Sequence, residues 1–157
     1  MVPPRLHPED PIKRARNRAW TDFVPDFSAD FGGVYYAADD VALAKGMEAA
    51  RRRLAKLEEA LAKERDNDGP YFNGPELCLV DAAYAPFFMR YAFVEDRLGC
   101  ELLKEFPLVQ AWSDALLAND RVIGSVADSF EREFVVNLHR RGAKTAPAFG
   151  AVSEAAD

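Results

Sequence analysis

The chain has 157 residues, enough for one domain with a buried core, and its mixture of 49% hydrophobic and 29% charged residues is that of a globular rather than a disordered protein. Twenty-six acids against 20 bases leave a net charge of -6, which argues against a nucleic-acid binder; the one basic run, Arg51-Arg52-Arg53, sits among acids on a predicted helix face. No apolar stretch approaches the ~20 residues needed to span a bilayer. The N-terminus has prolines and charges where a signal peptide needs an apolar core, and Cys78 and Cys100 form no CxxC, so a reduced, cytoplasmic setting without membrane contact is expected.

Residues 1–8 (MVPPRLHP) read as an extended lead-in, because proline drives its predecessor out of the helical region. A first helix starts at Glu9-Asp10-Pro11, with an acid for the helix dipole and proline at the first helical position. Its apolar side runs through Ile12, Ala15, Ala19, Trp20, Phe23, Phe27 and Phe31, with a kink expected at Pro25 and loosening at Gly32-Gly33. Asp39-Asp40 open a second helix, in which Leu43, Met47, Ala50, Leu54, Leu57 and Leu61 recur at steps of four and three. The run is short for a coiled coil and fits a bundle better. Asn67-Asp68-Gly69-Pro70 supply turn residues.

A third helix, from about residue 79 to 98, is the most apolar and the expected central one. Pro107 begins a fourth, with Val109, Trp112, Ala115 and Leu116 inward. A short helix passes through Val122-Ile123, and Asp128 or Ser129 caps a last helix carrying Phe130, Phe134, Val135 and Leu138. Arg140-Arg141-Gly142 is the cation-then-glycine ending. Residues 143–157 are expected to form a disordered tail, which leaves 9–142 as the domain. No strand, hairpin or repeat is evident, so the fold class is all-α. His7 and His139 lack partners at ligand spacing, no metal site is predicted, and neither a GxSxG elbow nor a phosphate loop occurs.

The segment 71–83 (YFNGPELCLVDAA) is the most informative, because it is a turn leading into a buried helix. Asp81 lies three residues after Cys78 and can reach back to its backbone N–H, as in a capping box. A carboxylate in so apolar a stretch must find donors. This pattern resembles the capping box of the glutathione transferase C-terminal domain, a glycine followed by Ser/Thr-x-x-Asp. Cys78 stands at the cap position here, a poor acceptor that should weaken the cap by about 1 kcal/mol. Residues 6–11 (LHPEDP) with Arg14-Ala15 and Arg18-Ala19-Trp20 resemble the start of the family's fourth helix. Phe106-Pro107 with Trp112 is similar to its seventh, and Asp120-Arg121-Val122 to the turn beyond. The ordered set covers about residues 5–141, and 85–91 (APFFMRY) is similar to the omega-like and bacterial branch.

The resemblance implies the helical half of a two-part enzyme. The family's thioredoxin-like half holds glutathione and supplies the residue that activates its thiol; the helical half supplies the hydrophobic electrophile pocket and much of a dimer interface. The chain begins at what resembles the linker, so no catalytic residue and no cofactor bound by this chain alone are expected, with glutathione a co-substrate only when a thioredoxin-like domain or partner is present. A homodimer through the first two helices is implied. Arg90 is either the arginine that reaches the electrophile or a helix arginine paired with Glu95 or a nearby acid. The aromatic stripe is core or pocket, and Trp20, Phe23, Phe27 and Phe130 are the pocket candidates. Cys78, at a helix start, is weighed as a nucleophile and read instead as an inert cap substitute. Two further classes stand beside the transferase half: a stand-alone, non-catalytic interaction module of the same fold, and a generic bundle binding an apolar ligand.

Overall fold

The computed structural model describes residues 6–150, which form seven α-helices and two 3₁₀ turns; apart from one isolated bridge, Tyr71 to Gly74, no β-structure occurs among the described residues. The helices are α1 (Pro11–Asp22), α2 (Val24–Tyr35), α3 (Asp40–Lys63), α4 (Leu79–Leu98), α5 (Pro107–Leu117), α6 (Asp120–Ile123) and α7 (Phe130–Arg140). None is long and apolar enough to cross a membrane.

Local signals in the sequence explain several boundaries. Asp10 caps α1 by accepting from Lys13 N at 2.7 Å, and Asp39 caps α3 by accepting from Ala42 N at 2.7 Å. Gly99 and Gly142 end α4 and α7 with φ of 67° and 65°, a region that favours glycine. Ser129 occupies the position before α7, yet neither it nor Asp128 makes a side-chain cap bond.

The single kinked first helix is corrected to two. Proline 25 has no N–H to donate and its ring crowds the carbonyl four residues back, so the chain breaks at Phe23 and Pro25 falls in the first turn of α2. The Tyr84 hydroxyl donates to the Trp20 carbonyl at the junction, at 2.9 Å. Of the predicted apolar side of α1, Ile12 is 66% exposed, while the buried residue of that helix is Asn17. Nor do the paired glycines loosen the chain: α2 continues through Gly32 and Gly33, and Gly33 meets Gly46 of α3. A Cβ on Gly46 would lie 2.6 Å from the Gly33 carbonyl oxygen, so the crossing depends on the missing side chain.

The core is the apolar stripe of α3 (Leu43, Ala50, Leu54, Leu57, Leu61) and α4 (Val80, Tyr84, Phe88, Tyr91, Val94), closed by Val109, Trp112 and Leu116 of α5. Helix α4 is central, as its composition implies. Helix α3 also caps α5 from a distance: Glu58 accepts from Leu108 N at 3.0 Å and Val109 N at 2.9 Å, meeting donors that Phe106 at the cap position cannot satisfy.

Residues 143–150 do not form a tail outside the domain. Lys144 N donates to Ala37 O at 2.7 Å, Ala143, Thr145 and Ala146 are buried, and Phe149 stacks on Phe93 with centroids 5.0 Å apart. The expectation for 151–157, like that for 1–5, lies outside the described residues. The lead-in docks through Leu6, whose carbonyl accepts from Leu79 N at 3.1 Å.

Candidate functional site

Asp81 is fully buried in the first turn of α4 and accepts three hydrogen bonds. Oδ2 takes the Cys78 N–H at 2.8 Å, and Oδ1 takes the Phe72 N–H at 2.9 Å and the Trp112 indole N–H at 2.7 Å. The carboxylate therefore joins the 71–78 turn, the start of α4 and the middle of α5. Sequence reasoning located the box and placed Trp112 inward but did not find the bond between them, since Trp112 lies 31 positions away and is reached only through the fold. The Cys78 thiol faces the Asp81 amide as a weak sulfur acceptor, which completes the box. Burial, followed by the neighbouring Asp81 charge, pushes that thiol up to about 12, so it is protonated and inert at neutral pH. The burial of Cys100 likewise raises its thiol. Neither cysteine has the lowered pKa of a nucleophile.

Beside this box, the outer face of α4 lines an apolar trough. Ala82, Pro86, Met89 and Phe93 recur at steps of four, three and four, so they share one side of the helix while Tyr84, Phe88 and Tyr91 fill the core. At the N-terminal end of α4 the trough is a pocket of about 170 Å³ with Leu6, Leu77 and Val122 on its other walls. It continues past Met89 and Val126 into a hollow of about 380 Å³ bounded by Ile123 and Phe130. Arg121, Asp128 and Glu131 are its charged members. Except for Phe130, none of these trough residues was singled out from the sequence as a pocket residue. The signal available was that second stripe on a helix already assigned to the core.

The predicted pocket residues separate into two groups. Phe130 lines the hollow, and the Arg90 guanidinium lies 5.6 Å from its ring centroid and 6.0 Å from that of Phe134. Arg90 also donates from Nη1 to the Pro86 carbonyl at 2.7 Å, and these contacts take the place of the alternative pairing with Glu95. The second group lies at the α1–α2 junction. Trp20 packs edge-on to Phe23 and Phe72, and Phe23 lies under the Arg53 guanidinium at 5.1 Å. Phe27 is 0% exposed among Phe31, Tyr84, Phe87 and Phe88, so it presents no surface to a ligand. Among the described residues no three His, Cys, Asp or Glu side chains stand close enough to hold a metal.

Comparison with known proteins agrees with this geometry. A family model described as the glutathione S-transferase C-terminal domain matches residues 40–115. The chain is 34% identical over 119 residues to the probable glutathione S-transferase BZ2 of Zea mays, covering 73% of this chain and 50% of that protein. It is 29% identical over 137 residues to glutathione S-transferase U19 of Arabidopsis thaliana, covering 85% and 59%. It thus spans between half and three-fifths of the length of these relatives. The Tau class transferase MiGSTU from mango, Mangifera indica, superposes with a TM-score of 0.69 at 22% identity over 86% of this chain and 63% of that one, a likeness of fold. The likeness to the omega-like branch rests on residues 85–91 alone. With the Asp81 box at the head of a central helix, the order of helices around it and relatives of this kind, the chain belongs to the glutathione S-transferase family and forms its C-terminal helical domain.

Proposed function

We propose that this chain is the substrate-facing helical half of a glutathione-dependent transferase. Paired with a thioredoxin-like half that holds glutathione, it accepts a hydrophobic electrophile on the α4 trough for conjugation or thiol transfer. The observation that carries the reading is the trough itself: a continuous apolar face on the most buried helix of the domain, running from Leu77 to Phe130. An apolar cleft with few charged members suits a hydrophobic ligand. Arg90, over the Phe130 ring, sets a cation beside that wall and suits an electrophile that gains negative charge as it reacts. The chain's own residues supply the apolar walls and the cation; thiol activation belongs to the other half.

In the same reading two copies associate through α1, α2 and α3, where Ile12 and Val41 are 66% and 81% exposed, and the protein works in the cytoplasm. The test joins this chain to a thioredoxin-like half and follows conjugation of chlorodinitrobenzene to glutathione. Turnover is expected from the joined protein and not from the 157-residue chain alone. Met89→Glu, folded by circular dichroism, should raise KM for the electrophile while leaving KM for glutathione unchanged. Turnover by the chain alone, or an unaltered electrophile KM in Met89→Glu, would overturn the proposal.

A further inference from the structure

A second cavity, of about 40 Å³, lies between α1, the C-terminal end of α3 and the loop 64–74, and it shares no lining residue with the trough. Asn67 ties that loop together: its Nδ2 donates to the Asn73 carbonyl at 3.0 Å and its Oδ1 accepts from Gly69 N at 2.8 Å. Asn73 in turn donates from Nδ2 to Asn17 Oδ1 at 3.1 Å and so fastens the loop to α1. That bond uses the acceptor of Asn17 and leaves its donor. Asn17 is 1% exposed, and its Nδ2 is buried with no partner. Arg65 Nε, on the wall of the same cavity, is also buried and without a partner.

Two orphaned donors on residues that line one small space are an uncommon arrangement, because a buried donor left unsatisfied costs about 1–3 kcal/mol. Both atoms can only donate, so what completes them is an acceptor. The charge around them favours an anionic one. Lys13, Arg16 and Arg65 line the cavity against Glu64 and Asp66, and Asp66 is already engaged by Lys13 at 2.7 Å. A water needs only about 10–15 Å³, so the space admits a two-oxygen head group. A guanidinium and an amide on the walls of one cavity supply the N–H donors that the two oxygens of a carboxylate accept from. We infer that this cavity is a binding site for a carboxylate group, with Asn17 Nδ2–H and Arg65 Nε–H as its donors.

The carboxylate belongs either to a small free acid or to the end of a peptide, and the experiment separates the two. Side-chain amide and guanidinium ¹⁵N–¹H signals of the full chain are followed while sodium acetate replaces sodium chloride at constant ionic strength. A parallel titration uses a blocked tripeptide with a free C-terminus, set against its C-terminal amide. Saturable shifts of the Asn17 and Arg65 signals with acetate, absent in chloride, are expected. A response to the free tripeptide at lower concentration than acetate, and none to its amide, assigns the site to a chain terminus; a response to acetate alone assigns it to a small acid. Asn17→Asp places a carboxylate in the site, and Arg65→Met removes one donor. Each should weaken the remaining response by about tenfold or more, the loss of one charge-assisted hydrogen bond. If Asn17→Asp does not fold, Arg65→Met decides. A linear response equal to that in chloride, as for a cavity holding only water, or an undiminished response in Arg65→Met, overturns the inference.

Discussion

Replacing Asp81 by alanine removes the acceptor from three buried donors at once, the N–H groups of Phe72 and Cys78 and the Trp112 indole. Each donor left unmade inside a protein costs about 1–3 kcal/mol. The three share one carboxylate, and relaxation lets part of the loss be recovered, so roughly 3–6 kcal/mol is expected rather than the full sum. A domain of this size has only about 5–15 kcal/mol in all, so Asp81→Ala should sit near its folding limit. Asp81→Asn is the finer probe. It keeps an oxygen for Phe72 and Trp112 but turns an amide donor toward the Cys78 N–H, so it should cost about 1–3 kcal/mol. Urea unfolding, followed by far-ultraviolet circular dichroism and tryptophan fluorescence, measures both, with an unchanged m-value confirming a comparable transition. A loss below about 1 kcal/mol for Asp81→Ala, or equal losses for the two variants, would refute the view that this carboxylate holds the turn, α4 and α5 together.

Other consequences are open to direct measurement. Gly46→Ala should cost about 1–3 kcal/mol by forcing α2 and α3 apart, read from the same urea transitions, since the new Cβ meets the Gly33 carbonyl. Glu58→Ala should cost about 1–2 kcal/mol by uncapping α5, and Glu58→Gln should recover part of that loss. Cys78 in the native protein should alkylate about a thousandfold more slowly at pH 8 than in urea, because so little of a thiol pushed up to about 12 is ionised there; mass spectrometry of the labelled peptides reads the rate. Cys78 and Tyr35 both hold their protons to about 12 in the native state, burial being the first cause for each. The unfolded chain releases them near 8.5 and 10, so their contribution to stability is whole below those values and declines as pH rises toward 12. Melting temperatures taken from pH 7 to 11 should therefore fall at the alkaline end, and a flat profile would contradict the burial of these groups.

Much of the architecture was legible in the sequence because it is written in short-range chemistry. The Leu43-to-Leu61 stripe follows from helical periodicity, the caps at Asp10 and Asp39 from a carboxylate within reach of free amides, and the end at Gly142 from a positive φ. The Cys78–Asp81 box belongs to the same class, as its two members are three residues apart. The apolar trough was legible only in part: Phe130 was among the candidates, whereas Met89 and Pro86 were hidden in a helix whose composition announced a core.

What tertiary structure alone decided involves partners distant in sequence. Trp112 completes Asp81, Glu58 caps α5, Gly33 crosses Gly46, and Phe149 turns a presumed tail into part of the domain. Phe27 and Trp20 lie on one predicted stripe, yet the break at Phe23 sends the first wholly into the core and leaves the second only partly covered. Arg90 had acids nearby in sequence but rests on the Phe130 ring, because α7 returns across α4 at that level. A sequence determines which backbone groups can satisfy one another within a few residues. Which side chains meet across the bundle follows only from the order and angles in which the helices pack.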